Sequence, residues 1–249
     1  MHRGPAGAIL AATTDEGAHM HEEKNLGRLI GLMMLLAMAA SMAGFLVVLP
    51  PAFADPGYLA SAGSHASRVR IGALLVLVPA VLMLGIALAG WPTFRRHGER
   101  AALGLLALAA AALAVTIVEQ GLLLAMLSLS QAFGAAGPAE RAAFEAARVV
   151  AGQARHWVHY FSLFSGGVAS LILYALLYRS RQLPRALPAL GVAAVALQLA
   201  AILLHVGGQA FDFNLVAPAG IGQLATACWL LAVGLRPQAA APYAGAGLA

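Results

Sequence analysis

Apolar residues along this chain neither alternate nor recur in a narrow stripe; they come in long unbroken runs. Six stand out, roughly Arg28–Leu49, Ile71–Gly90, Ala101–Leu127, Val158–Tyr178, Leu187–Val206 and Leu215–Leu235. Each supplies about 20 residues or more, enough for a helix rising 1.5 Å per residue to cross about 30 Å of hydrocarbon. A spanning strand is about half as long and alternates, so helices are the only crossing form that fits. The third run is the longest and predicts a helix that tilts or protrudes. The expected fold is an all-α polytopic membrane protein, a bundle of six transmembrane helices.

The segments between the runs add detail. Pro50-Pro51 and Asp55-Pro56-Gly57 are turn formers after the first span. Residues 138–155 read as an additional amphipathic helix on the outer side, running on toward the fourth span. Arg141 and Glu145 are four apart and Glu145 and Arg148 three apart, so they can pair on a wet face, with Phe144 and Val149 on the other. The expected layout is a disordered tail over 1–27, the transmembrane domain over 28–236 and a second disordered tail over 237–249. Ala52-Phe53-Ala54 resembles a signal-peptide cleavage site, but the 21 apolar residues Leu29–Leu49 exceed the usual core of about 7–15. The first run therefore reads as an uncleaved span.

Composition agrees. Of 249 residues, 61% are apolar and 10% charged, whereas a soluble domain carries about 25% charged residues. Such a chain needs lipid as its solvent. The basic pI does not point to nucleic acid, because the fifteen Lys and Arg residues are spread over loops without a stripe. Ten fall with the two termini and the second-to-third and fourth-to-fifth loops; Arg68, Arg70, Arg141, Arg148 and Arg155 fall on the other side. That bias predicts a multi-pass protein with both termini cytoplasmic. Cys228 is the sole cysteine, which leaves no intrachain disulfide and no cysteine metal site.

Several strings carry a family resemblance when taken in order. They are Asp55-Pro56-Gly57-Tyr58, Glu119 followed by Leu127-Ser128-Leu129-Ser130-Gln131, Ala154-Arg155-His156-Trp157, Tyr178-Arg179-Ser180-Arg181 leading to Pro184-Arg185, and Trp229 to Leu235. Over about Leu26 to Arg236 the chain resembles a bacterial six-span membrane family catalogued only as a domain of unknown function. The resemblance implies a six-helix fold in the bacterial inner membrane and brings no activity. Members often have an acidic residue in the last span where Gln223 stands here.

Glu119 is the one acid inside an expected span, about 28 Å along its helix from Arg100. A carboxylate at that depth costs several kcal/mol unless it is paired or protonated, so it predicts a partner, with Thr116 one candidate. His156 and His159 are three apart on a helix, a spacing that can share a metal, and His205 is expected at a similar depth. Asp212 and Gln223 complete a polar level in the outer half, with Gln198 seven residues before His205 on the same face and Asn214 beside Asp212 in the following loop. Three readings follow. Glu119, His156, His159, His205 and Gln223 line a pocket for a small ligand, ion or lipid. Alternatively, His156, His159 and Glu119 hold a metal ion, or the histidines a haem, in a membrane enzyme. Thirdly, Glu119 is the titrating group of a proton-coupled carrier. Patterns such as H-E-x-x-H, C-x-x-C and G-x-x-x-x-G-K are absent. Gly27-x-x-x-Gly31 and Gly166-Gly167 predict close helix contacts, within the bundle or with other membrane helices.

Overall fold

The six apolar runs fall in separate long helices, with one exception. A computed structural model describes residues 5–55 and 57–236, with only the backbone course given for 5–19. The expected tail residues 1–4 and 237–249 lie outside the described residues. The long elements are α1 (Pro5–Met42), α3 (Ala66–Ala135), α4 (Arg141–Ser180), α5 (Ala186–Val206) and α6 (Ala217–Val233), with a one-turn α2 (Tyr58–Ser61). No strand occurs among the described residues. Five helices are long and apolar enough to cross a membrane. Large apolar side chains such as Leu74, Val150 and Ile221 stand exposed around them, a surface that only lipid would solvate.

The exception is α3, which holds the second and third apolar runs in one 70-residue element. A straight rod of that length would measure about 105 Å. Yet the Gly63 amide, just before α3, donates to Ser130 Oγ near its far end at 2.8 Å, and that hydroxyl donates to Leu59 O at 2.8 Å. The helix must therefore double back. It does so at Gly98, whose backbone leaves helical angles (φ 160°, ψ 91°). Residues 66–97 and 99–135 are the two arms of a hairpin joined by this break rather than by a loop.

The expected outer amphipathic helix is not a separate element. Residues from Arg141 onward are the opening turns of the 40-residue α4, continuous with the fourth apolar run. Arg148 Nε and Glu145 Oε2 pair there at 2.8 Å on an exposed face.

Small residues bring α1 and α6 together. A Cβ on Gly31 would come within 2.8 Å of Ala227 O and Leu231 N, and one on Gly27 would strike the Leu235 amide. Both glycines of the Gly27-x-x-x-Gly31 pair thus press on backbone. Gly167 packs against Leu199 of α5, whereas Gly166 faces open space. At one end of the bundle Gln182 Nε2 donates to Glu23 (3.3 Å), the Arg236 amide donates to Gln182 O (3.1 Å), and Arg185 and Arg236 lie over Tyr178 and Trp229. This is the arginine-rich end. The loop over residues 50–65 and the α5–α6 connection form the opposite one.

Gly31→Val should cost about 1–3 kcal/mol through overpacking against fixed backbone. Gly121→Val, at a helix position with open space beside it, should stay within about 1 kcal/mol of the parent. Melting curves in mild detergent separate the two; equal midpoints would mean that the α1–α6 approach is not tight.

Candidate functional site

Glu119 does find partners, and both come from α4. It is 1% exposed; His159 Nδ1 lies 2.9 Å from its Oε1, and Arg155 lies 3.8 Å from the same oxygen. Positions 155 and 159 are four apart, so one helical face presents both cations to one carboxylate. The geometry satisfies the demand that a charge taken out of water be paired and hydrogen-bonded. Thr116 is not its partner: Thr116 Oγ1 donates to Ala112 O and sits 2.8 Å from Ser162 Oγ, forming a second polar link between α3 and α4.

Arg155 also reaches outward. Its guanidinium stacks over the Phe53 ring at 5.6 Å, and Phe53 packs on Tyr58. Burial pushes the Tyr58 phenol up to about 12, against a smaller downward pull from Arg155. Tyr58 therefore stays a neutral donor, and its O–H is bonded to Leu123 O at 3.2 Å. The 50–65 loop is thus fastened over the end of the hairpin directly above the Glu119 pair.

Beneath that pair lies a cavity of about 260 Å³. Its walls come from α1, both arms of α3, α4, α5 and α6. Polar groups on the wall are Ser41, Thr116, Glu119, His159, Ser162, Ser170, Gln198 and Gln223; Met34, Met83, Ile86, Leu173 and Val195 form the apolar part. Two backbone irregularities border it. Pro79 lies inside α3, where a proline ring cannot donate to the carbonyl four residues back. At the end of α1, Ala43–Val48 widen into a π-helical turn, which carries Phe45 to the wall, its ring 5.7 Å from that of His159. Such turns recur at functional sites.

The residues expected at this level divide into two groups. Glu119, His159, Gln198 and Gln223 share the cavity, with Gln223 Nε2 donating to Met34 O at 3.3 Å. His156 and His205 do not line it. They face each other outside, Nε2 to Nε2 at 3.4 Å. Asp212 instead accepts from the Asn214 amide at 2.9 Å and shapes the turn before α6. His156 therefore does not join His159 and Glu119 as a metal ligand set. Among the described residues no group of three or more His, Cys, Asp or Glu side chains is arranged to hold a metal ion. Sequence reasoning missed Arg155 as Glu119's partner; its four-residue spacing from His159 was the available signal.

The family model described as Domain of unknown function (DUF4386) matches residues 29–234, which takes in every residue of the cavity wall. The chain belongs to this family. No curated protein and no solved structure matches it. For this DUF4386 protein the local geometry is therefore the guide to chemistry.

Removing one partner should show how firmly the pair is set. Arg155→Met leaves Glu119 buried with an imidazole alone and should cost about 3 kcal/mol or more. Glu119→Gln combined with Arg155→Met should recover part of that loss, since neither charge is then stranded. Detergent melting of the four members of this cycle measures the coupling; additive losses would mean that the two side chains do not interact.

Proposed function

We propose that this DUF4386 protein crosses the bacterial inner membrane six times, with both termini cytoplasmic, and binds a small amphiphilic molecule in its central cavity. The six-span reading takes the arms of α3 as two crossings, which gives the arginine-rich end a common side. Arg95, Arg96, Arg100, Arg179, Arg181, Arg185 and Arg236 then accompany the N-terminal residues inside. Fusions of a reporter that works only in the cytoplasm should be active after Ala249 and after Gly98, and inactive after Gly208. Activity after Gly208 would reverse this topology.

The observation that carries the binding reading is the wall itself. One cavity, bounded by every long helix, has an apolar side and a side holding a paired carboxylate, an imidazole, two amides and several hydroxyls. Natural ligand sites share this makeup, a largely apolar recess with a few convergent polar groups. A cavity of about 150 Å³ already accepts benzene, so 260 Å³ suits a somewhat larger molecule, one ring system or a short chain. Glu119 and His159 favour an occupant with a hydrogen-bond donor at one end, and the Met34–Met83 side favours an apolar body. Methionines suit that role because their side chains adapt to irregular shapes.

Gly166 offers a direct test. It lies on the wall and a Cβ there meets nothing within 4 Å, so Gly166→Leu should fill the cavity without disturbing the helices. Extraction and mass spectrometry of the purified parent should give a stoichiometric small molecule, reduced at least tenfold in Gly166→Leu and retained in Gly121→Leu. Equal recovery from all three proteins would place the molecule elsewhere and sink the binding reading.

A further inference from the structure

His156 and His205 lie outside the cavity and are used by nothing described so far. They come from different helices, one from the opening half of α4 and the other from the last turn of α5, at the end of the bundle away from the arginine-rich end. His156 is exposed and His205 half-buried, so neither ring is sealed inside the bundle. From the geometry we infer that the two imidazoles form a binding site for a late first-row divalent cation, zinc above all, separate from the Glu119 cavity.

Three observations carry this. The first is the tautomer of His205. Its Nδ1 lies 2.9 Å from Gln209 O, and a carbonyl can only accept, so Nδ1 carries the proton. In the neutral ring, Nε2 is then left with a lone pair aimed at His156. A backbone carbonyl on the remote nitrogen is the usual means of orienting a metal-binding histidine.

The second is the separation. The two Nε2 atoms are 3.4 Å apart, a long hydrogen bond in which a protonated His156 Nε2 would donate to the His205 lone pair, and an ion would replace that proton. Two nitrogens bound to a tetrahedral ion at about 2.0–2.1 Å sit about 3.3–3.4 Å apart. On a square-planar or octahedral ion with the same bond length, neighbouring ligands would be about 2.9 Å apart. The spacing is that of a tetrahedral edge, which makes zinc the first ion to test.

The third is the surrounding shell. The rings of Trp157, Tyr160 and Phe211 pack about the pair, with the Tyr160 and His205 centroids 4.2 Å apart and the His205 and Phe211 centroids 5.8 Å apart. They restrict rotation of the two rings, and water would supply the remaining ligands. An ion with two protein ligands and open positions is accessible to exchange, so the site fits capture or sensing better than permanent structure.

The test is calorimetric titration of the untagged, full-length protein in detergent at neutral pH with Zn²⁺, Ni²⁺ and Mg²⁺. His2, His19 and His21 near the N-terminus supply a background, so the His156→Ala/His205→Ala protein is titrated alongside. The parent should bind one more Zn²⁺ per chain than this reference, with Ni²⁺ weaker and no Mg²⁺ binding. His156→Ala and His205→Ala should each weaken that extra site at least tenfold, while Gly121→Leu, at a position with open space beside it, leaves it within twofold. Identical zinc isotherms for the parent and the double variant would overturn the inference, as would an extra site that survives either single substitution. Zinc protection of the two imidazoles from diethylpyrocarbonate, read by mass spectrometry on the parent, gives a second answer that requires no variant; equal modification with and without zinc would also count against the site.

Discussion

A carboxylate held among lipid-facing helices has to be matched by positive charge and hydrogen bonds from the protein, because lipid supplies neither. Glu119 imposes that condition here, and the register of α3 against α4 meets it. With Glu119 on the second arm of α3, only positions 155 and 159 of α4 at the same level bring Arg155 and His159 to Oε1. A slip of one residue would turn another face of α4 to the acid and strand it. The link between Thr116 and Ser162 lies one turn further along both helices and fixes the same register. Directional polar contacts matter more here than they would in water, since apolar surfaces gain little from meeting one another in lipid.

Two kinds of backbone feature act in opposite senses around that fixed pair. Glycines 27, 31 and 167 let helices approach until backbone meets backbone or a neighbouring side chain. Pro79 and the π-helical turn at Ala43–Val48 interrupt regular packing at the cavity wall. Close approach at the arginine-rich end and irregular backbone toward the other leave the recess beneath Glu119. Arg155 belongs to both regions: it neutralises the acid on one side and stacks on Phe53 of the loop on the other. Movement of that loop would alter the surroundings of the guanidinium, and so of the carboxylate.

Run length made the helices legible, because unbroken apolar stretches of about 20 residues have one solution in lipid. It did not reveal how the second and third runs connect. Arg95, Arg96 and Arg100 read as loop residues, yet helix continues on both sides of Gly98 and the reversal takes a single break. The opening of α4 was legible as amphipathic and as running on toward the fourth span; its polar face changes character near Arg155, a change of solvent rather than of backbone. In the site, Glu119 stood out by rarity and His159 by type. Arg155 was hidden because a charge near a span boundary normally reports sidedness. The cavity was not legible at all: Pro79 and Phe45 occur in runs whose apolar pattern is the same whether the helix is regular or distorted.

The helical repeat of α4 explains why histidines three residues apart do different work. Positions 155, 159, 162, 166, 170 and 173 follow steps of four and three along one stripe, and this stripe meets Glu119 and the cavity. Positions 156, 160, 163 and 167 follow the same steps on the neighbouring stripe, which turns toward α5: His156 and Tyr160 lie against His205, and Gly167 lies against Leu199 where that stripe reaches the cavity rim with Leu163. The two stripes are offset by one residue, about 100° around the helix, and His159 and His156 fall on different ones. His159 is therefore held as the partner of a buried acid, whereas His156 is directed to the wet edge of the bundle beside a second imidazole. One helix carries both surfaces, so the register that neutralises Glu119 also sets where His156 meets α5, and a shift in one would be felt at the other.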